Sequence, residues 1–241
     1  TVLKKIYLQP HFYRSMSKKE EEVIVDVEAV YTKSEQWIVE NQKSLSIIFG
    51  AIVLLLLSYF AYKNFILQPQ EVEAQEQMWQ AQRSFDNDSL ELALNGSDVA
   101  YGFLDIIDNY GITESSNLTT YYAGVSYLRL GDYETAINYL EDYDCVDVLV
   151  CAIALGATGD AYMELGQADR AIDYYESAAD HSANDFTAPI YLMKAARAYE
   201  ELGDYSEALV HYNRIKMDHS SSNEGAFVDK YIARAEGQMG K

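Results

Sequence analysis

The chain has 241 residues, of which 49% are hydrophobic and 13% aromatic, and 38 acidic against 18 basic residues give a formal net charge of −20. A chain of this length can bury a core without disulfide stapling, and two cysteines are too few for a disulfide scaffold. The acidic excess repels a phosphate backbone, which argues against nucleic-acid binding as the function.

The charge is divided unevenly along the chain. Residues 1–63 contain eight basic and seven acidic side chains, which gives +1, whereas residues 64–241 contain ten and thirty-one, which gives −21. Just before this division lies the most apolar segment, LSIIFGAIVLLLLSYFAY at 45–62, which carries no charge. Its eighteen residues reach roughly 27 Å, close to the hydrocarbon thickness of a bilayer. The pattern predicts a single transmembrane helix over 45–66.

Two alternatives to a permanent anchor are a buried core helix and a cleaved signal peptide. A buried core helix is disfavoured because the acidic remainder of the chain would have to surround it completely. A signal peptide is disfavoured because the apolar run begins more than forty residues into the chain and no small-x-small cleavage site follows it. Basic residues concentrate before the run, which predicts a cytoplasmic N-terminus and a C-terminal domain across the membrane.

The residues before the apolar run divide into two parts. Met16 begins MSKKEEE, which resembles a natural start, so 1–15 is interpreted as an upstream extension or a cloning remnant. In 16–44, apolar residues recur at helical spacing and predict an amphipathic cytoplasmic helix.

Beyond the run, the chain repeats itself at intervals of 35 and 37 residues. The three copies are AGVSYLRLGDYETAINYLEDY (123–143), TGDAYMELGQADRAIDYYESA (158–178) and AARAYEELGDYSEALVHYNRI (195–215). Each copy has a tyrosine, a glycine four residues later and an alanine five residues after that: Tyr127, Gly131 and Ala136; Tyr162, Gly166 and Ala171; Tyr199, Gly203 and Ala208. The tyrosine is expected to face a partner helix, the glycine to end the first helix, and the alanine to let two helices cross. The pattern therefore predicts three helix hairpins.

These segments resemble tetratricopeptide repeats (TPRs). The family's small residue, tyrosine, turn glycine, alanine and late large residue are all present, whereas its early tryptophan is replaced by Thr120, Leu155 and Leu192 and its closing proline is missing. The resemblance implies an all-α fold, in which an α-solenoid of helix hairpins follows the transmembrane helix over 68–241. Its parts are expected to be a degenerate repeat at 73–111, repeats at about 117–150, 152–185 and 189–222, and a capping helix at 223–237.

The inward positions of the first helices in such a stack form a candidate peptide-binding groove. By the TPR pattern they are Tyr121, Val125, Leu128, Arg129, Asp160, Met163, Glu164, Met193, Arg197, Glu200 and Glu201. This mixture of apolar and acidic character favours an extended partner with apolar and basic residues. The alternative is that the acidic residues only keep the domain soluble.

The sequence contains no recognisable catalytic or metal-binding motif. We therefore expect no enzymatic activity, no cofactor, no metal and no small-molecule substrate. None of the four histidines lies in H-E-x-x-H or beside a cysteine at metal-ligand spacing. The stretch GATGD at 156–160 resembles a phosphate loop but falls inside the first helix of a repeat, where its glycines let helices approach. Cys145 and Cys151 allow a disulfide, although two unbridged, half-buried side chains are the favoured interpretation.

The layout of residues 16–241 resembles the YfgM-like ancillary TPR subunits of the bacterial Sec translocon. The blocks MSKKEEEVIVDVEAVY and LGATGDAYMELGQADRAIDYYESAA are similar to versions found in Bacteroidetes. The resemblance implies a single-pass inner-membrane protein whose periplasmic domain binds translocon subunits, exported clients or periplasmic chaperones. The alternative is a structural scaffold subunit of a cell-envelope secretion or motility complex.

Overall fold

The computed structural model describes residues 35–181 and 183–240. The predicted extension at 1–15 and most of the predicted helix at 16–44 lie outside these residues. The chain divides into two compact units, Thr1–Lys63 and Asn64–Lys241.

The described part of the first unit is helical. Residues 35–40 form a helical turn, and helix α1 spans Gln42–Tyr62 with no buried residue. A π-helical turn, Lys63–Leu67, follows. Among the described residues, the helical stretch Gln42–Asp86 is long and apolar enough to cross a membrane by length and composition alone, and none of its apolar window is buried.

The second unit is built from α-helices that pack consecutively along the chain. Its described helices are α2 (Gln68–Asp86), α3 (Leu90–Asn95), α4 (Phe103–Tyr110), α5 (Glu114–Leu130), α6 (Tyr133–Asp142), α7 (Val148–Glu164), α8 (Ala168–His181), α9 (Ala188–Glu201), α10 (Tyr205–Asp218) and α11 (Val228–Met239). Short connections make sequential helices antiparallel neighbours, so α5–α6, α7–α8 and α9–α10 are three hairpins.

The turn inside each hairpin follows from two adjacent residues. The glycine that ends the first helix has a φ of 85° at Gly131, 70° at Gly166 and 80° at Gly203, a left-handed conformation that other residues rarely adopt. In two turns the next residue is an aspartate whose carboxylate accepts from a backbone N–H of the second helix. Asp132 accepts from Thr135 and Asp204 from Glu207, which caps α6 and α10.

The packing inside each hairpin repeats as well. The tyrosine of the first helix lies against a ring of the second, with centroids 5.4 Å apart for Tyr127–Tyr139, 5.3 Å for Tyr162–Tyr174 and 5.3 Å for Tyr199–His211. The alanines at the helix crossings, Ala136, Ala171 and Ala208, are completely buried. The tyrosine and alanine therefore do what the repeat pattern predicts.

The two ends of the stack close differently. Helices α2 to α4 bury Met78, Leu94, Phe103 and Ile106 in a common cluster that continues onto α5. At the other end, α11 covers α10 and buries Val228 and Ala235. Phe227 is the residue immediately before α11, and it is 64% exposed.

The connection between the first and second hairpins contains a disulfide between Cys145 and Cys151, whose Cα atoms are 5.0 Å apart. The favoured sequence interpretation, two unbridged cysteines, was therefore wrong. Helix α6 ends at Asp142 and α7 begins at Val148, so the short connection turns back and brings Cys145 to the first turn of α7.

Candidate functional site

A cavity of about 470 Å³ lies across the three hairpins, and we call it the central cavity. Its lining comes mainly from the first helices α5, α7 and α9: Leu128, Arg129, Tyr133, Asp160, Met163, Glu164, Tyr175, Lys194, Arg197, Ala198 and Glu201. Seven of the residues proposed from the sequence are among them: Leu128, Arg129, Asp160, Met163, Glu164, Arg197 and Glu201. The first helices thus place residues from all three repeats around one space.

The other four proposed residues lie elsewhere. Tyr121 and Val125 pack against a buried cluster around Leu140 and Tyr143 rather than lining the central cavity. Met193 lines a neighbouring cavity described below. The carboxylate of Glu200 pairs with the guanidinium of Arg234 on α11, and its side chain is only 12% exposed.

Lys194 is the residue that changes the electrostatics of the central cavity. Its ammonium group lies 2.7 Å from both carboxylate oxygens of Asp160. The three acidic lining residues are therefore matched by three basic ones, so the lining that the sequence predicted to be apolar and acidic carries balanced charge. Lys194 lies outside the usual inward positions, and its long side chain reaches Asp160 in the preceding repeat. The spacing of the repeats gives no sign of this contact.

Tyr175 belongs to a second helix and still reaches the central cavity. A Cβ on Gly159 would lie 2.6 Å from Cε1 of Tyr175, so the missing side chain leaves room for the ring between α7 and α8. The Tyr175 hydroxyl donates to Asp160 over 2.7 Å. Burial, and then the charge of Asp160, raise the pKa of Tyr175, which keeps the hydroxyl protonated and able to donate.

Two carboxylates of the central cavity have no cationic partner among the described residues. Glu164 accepts a long hydrogen bond of 3.4 Å from the hydroxyl of Tyr133, and Glu201 forms no ion pair. Arg129, by contrast, pairs with Asp88 at 2.6 Å. Among the acidic residues of the central cavity, the unpaired carboxylates Glu164 and Glu201 are therefore the most available to a bound partner.

A second cavity of about 310 Å³ lies between α9 and α11, and we call it the end cavity. It is lined by Ile190, Met193, Lys194, Arg197, Asn223, Glu224, Phe227, Lys230 and Tyr231. Lys194 and Arg197 line both cavities, so the two adjoin along one face of α9.

The linings of the central cavity and the end cavity are suited to binding another polypeptide. In the part of the chain that the structure describes, no three histidine, cysteine, aspartate or glutamate side chains are grouped so that they could hold a metal ion. The two cavities offer apolar surface, unpaired carboxylates and cations, which are the groups that bind polypeptide side chains.

The repeats match a known family model. The model for the tetratricopeptide repeat matches residues 121–186 and, in a second register, residues 157–223. Residues 121–223 form a tetratricopeptide repeat array. TPR arrays are protein-interaction scaffolds, so this array is a protein–protein interaction module.

Two solved structures share the fold of the TPR array, and a third aligns with a lower score. A variant of nearly identical TPR-like repeats from a Podosopora anserina kinesin light chain-like protein aligns over 70% of this chain and 87% of its own, with 17% identity and a TM-score of 0.53. The parent repeats align over the same shares, with 17% identity and a TM-score of 0.52. The MamA protein aligns over 68% of this chain and 88% of its own, with 15% identity and a TM-score of 0.49. No curated protein sequence matches the chain significantly.

Proposed function

We propose that this chain is a membrane-anchored TPR interaction module that acts on the periplasmic side of the Sec translocon in a bacterial inner membrane. Its partners are translocon subunits, exported clients or periplasmic chaperones. The observation that carries the proposal is the central cavity, where three repeats present apolar surface beside the unpaired carboxylates Glu164 and Glu201.

The membrane anchor is supported by α1. A helix with no buried residue and a long uncharged apolar run exposes a surface that water disfavours and a bilayer accepts. Seven of the eight lysines and arginines in residues 1–63 precede the apolar run, and this distribution favours a cytoplasmic N-terminus with the TPR array across the membrane.

The disulfide supports the same location. Disulfides persist in oxidising compartments such as the bacterial periplasm and are rare in the cytoplasm. The Cys145–Cys151 bridge is therefore the state expected of a domain that has crossed the inner membrane.

The second candidate function is a scaffold subunit of a cell-envelope secretion or motility complex. It is favoured by the exposed apolar side chains at the connections before α7 and α9, Val146 at 73% and Phe186 at 68%, which suit a fixed protein partner. The two functions differ in partner number, since a scaffold binds one stoichiometric partner and a client-binding module binds many weakly.

Affinity purification after gentle detergent extraction, followed by mass spectrometry, tests the proposal. We expect translocon subunits with the unchanged chain and a loss of clients with Glu164→Lys/Glu201→Lys, because both carboxylates lie unpaired in the central cavity. The control Glu76→Lys/Glu236→Lys makes the same charge change at exposed positions outside both cavities. Recovery of one stoichiometric envelope protein without translocon subunits would instead favour the scaffold.

A separate measurement tests the orientation. Alkaline phosphatase fused after the last residue is active only outside the cytoplasm, and a fluorescent protein that matures only in the cytoplasm serves as its complement. We expect an active phosphatase fusion and a dark fluorescent fusion. The reverse pattern would place the TPR array in the cytoplasm and remove the periplasmic function.

A further inference from the structure

We propose that the end cavity binds an acidic side chain of the same extended segment that occupies the central cavity. The proposal rests on the proposed function in one respect, namely that the groove binds a polypeptide. It adds the charge pattern of the partner: a basic residue at the central cavity, an acidic residue at the end cavity and apolar residues between them.

The first observation is a concentration of cations in an acidic domain. Residues 64–241 contain ten lysines and arginines, and four of them, Lys194, Arg197, Lys230 and Arg234, lie in or beside the end cavity. Three surround the ring of Tyr231, with Arg197 Cζ at 5.3 Å, Lys230 Nζ at 4.7 Å and Arg234 Cζ at 5.0 Å from its centroid.

The second observation is that two of these cations lack a carboxylate. Arg234 pairs with Glu200, and Lys194 pairs with Asp160. Among the described residues, Arg197 and Lys230 have no carboxylate within 4.0 Å. Both groups remain available to a carboxylate that enters the cavity.

Tyr231 supports a positive potential at this place. The guanidinium of Arg197 donates to the Tyr231 hydroxyl over 2.9 Å. This hydrogen bond, followed by the neighbouring Lys230, lowers the pKa of Tyr231, as expected where cations outnumber anions. Glu224, the one carboxylate in the described lining of the end cavity, reduces the excess of positive charge without cancelling both cations.

Apolar side chains frame the cations. Ile190 and Met193 lie on α9, and Phe227 precedes α11 with 64% of its side chain exposed. In an extended segment, side chains two positions apart point in the same direction, so apolar surface beside a cation favours an acidic residue with an apolar residue two positions away.

The joining of the two cavities sets the order of charges. Lys194 and Arg197 line both, so a segment that crosses the central cavity continues into the end cavity. Along this path Glu164 and Glu201 lie in the central cavity, Lys230 lies in the end cavity, and Arg197 lies where the two cavities adjoin. A segment that continues through the cavity presents a side chain there, not a chain terminus, so the acidic group is that of an internal aspartate or glutamate.

Fluorescence anisotropy with the full chain in detergent micelles tests this order. The probes are labelled peptides with both ends blocked, in which apolar residues separate one arginine from one glutamate, and sister peptides in which glutamine replaces the glutamate. A third set carries the glutamine and an unblocked C-terminal carboxylate. We expect the glutamate peptides to bind roughly tenfold more tightly than the glutamine peptides, since close charge pairs at interfaces contribute about this much.

The protein variant that isolates the end cavity is Arg197→Gln/Lys230→Gln. We expect it to remove the preference for glutamate over glutamine, and we expect the matched control Arg83→Gln/Lys216→Gln, which makes the same charge change outside both cavities, to retain it. Circular dichroism melts of both variants verify that the fold is intact.

The outcomes are distinguishable. Binding of all peptides with equal affinity would overturn the end-cavity proposal and leave the peptide-binding function standing. A preference for the unblocked carboxylate over the internal glutamate would overturn the commitment to an internal side chain. Failure of every peptide to bind would overturn both this proposal and the peptide-binding function.

Discussion

Gly156 on α7 lies directly against the ring of Tyr191 on α9. A Cβ placed on Gly156 would come within 1.9 Å of Cε1 of Tyr191, and the tyrosine is only 7% exposed. The first helices of consecutive repeats therefore approach each other through a missing side chain. A ring that is nearly buried cannot move aside freely, so the glycine is required by packing.

Replacing this glycine tests the contact. We expect Gly156→Ala to lower the free energy of unfolding by about 1–3 kcal/mol, because overpacking a buried contact forces side chains and backbone to shift. Thermal or urea unfolding of the chain in detergent, followed by circular dichroism, measures the change. Combining Gly156→Ala with Tyr191→Leu should cost less than the sum of the two single changes, since the smaller side chain relieves the clash.

Gly237 provides the control. It lies in α11 and has no atom within 4 Å of a Cβ built on it. Gly237→Ala should be neutral or stabilise the domain by up to about 1 kcal/mol, because alanine favours a helix. Equal destabilisation by both substitutions would contradict the packing role of Gly156.

The hairpins could be predicted from the sequence because their determinants are local. The glycine that ends the first helix and the aspartate that caps the second are adjacent in the sequence, as at Gly131 and Asp132 or Gly203 and Asp204. The tyrosine and alanine of each copy lie at fixed distances from that glycine. Spacing alone therefore determines which side chains meet inside a hairpin.

The features that the sequence did not reveal depend on contacts between repeats. The Lys194–Asp160 pair joins residues 34 apart through the length of one side chain, so residue spacing gives no signal for it. The disulfide depends on how tightly the chain turns between α6 and α7. Phe227 lies at helical spacing from Tyr231 in the sequence, but α11 begins at Val228 and leaves Phe227 exposed before the helix.

Glu71 on α2 caps the N-terminus of α5. Its carboxylate accepts from the backbone N–H groups of Glu114 at 2.7 Å and Ser115 at 3.1 Å, and from the Ser115 hydroxyl. We expect Glu71→Ala to lower the free energy of unfolding by about 1–2 kcal/mol, because a cap and a favourable charge at a helix N-terminus are lost together. Chemical denaturation checks this, and the exposed Glu76→Ala on the same helix should change stability by less than about 0.5 kcal/mol. Similar losses in both variants would contradict the capping role.

The Asp160–Lys194 pair links the second and third repeats in the central cavity. Its side chains are 37% and 36% exposed, so solvent screens the attraction. A double-mutant cycle with Asp160→Asn and Lys194→Met should give a coupling energy of about 0.5–1 kcal/mol. The more exposed pair Lys216–Asp229, at 54% and 78%, should give a smaller value in the same assay. A coupling near zero for the first pair would show that it does not hold the repeats together.

Reduction tests the Cys145–Cys151 bridge. A bridge that closes so short a loop is expected to stabilise the domain by about 2 kcal/mol, so dithiothreitol should lower its unfolding temperature. Cys145→Ser/Cys151→Ser should unfold at the same temperature with and without reductant. Alkylation of intact cells before lysis, read by mass spectrometry, reports the native state. Two alkylated thiols would contradict the bridge and remove its support for a periplasmic location.

Tyrosines with raised pKa values predict a loss of stability at alkaline pH. Burial, followed by the charge of Glu176, raises the pKa of Tyr199 to about 12, and burial raises the pKa of Tyr174, Tyr175 and Tyr191 further above the ordinary 10.0. In the unfolded chain these phenols lose protons near pH 10, whereas in the folded chain they keep them.

The unfolded state therefore binds fewer protons above pH 10, so the free energy of unfolding falls as pH rises from about 10 toward 12 and is unaffected by these groups below 10. Absorbance at 295 nm during alkaline titration should show a fraction of the tyrosines ionising only as helical circular dichroism is lost. Tyr199→Phe should make the fall in stability with pH less steep, because it removes one of the coupled protons. Ionisation of every tyrosine near pH 10 with the helices intact would contradict the raised pKa values and the burial that causes them.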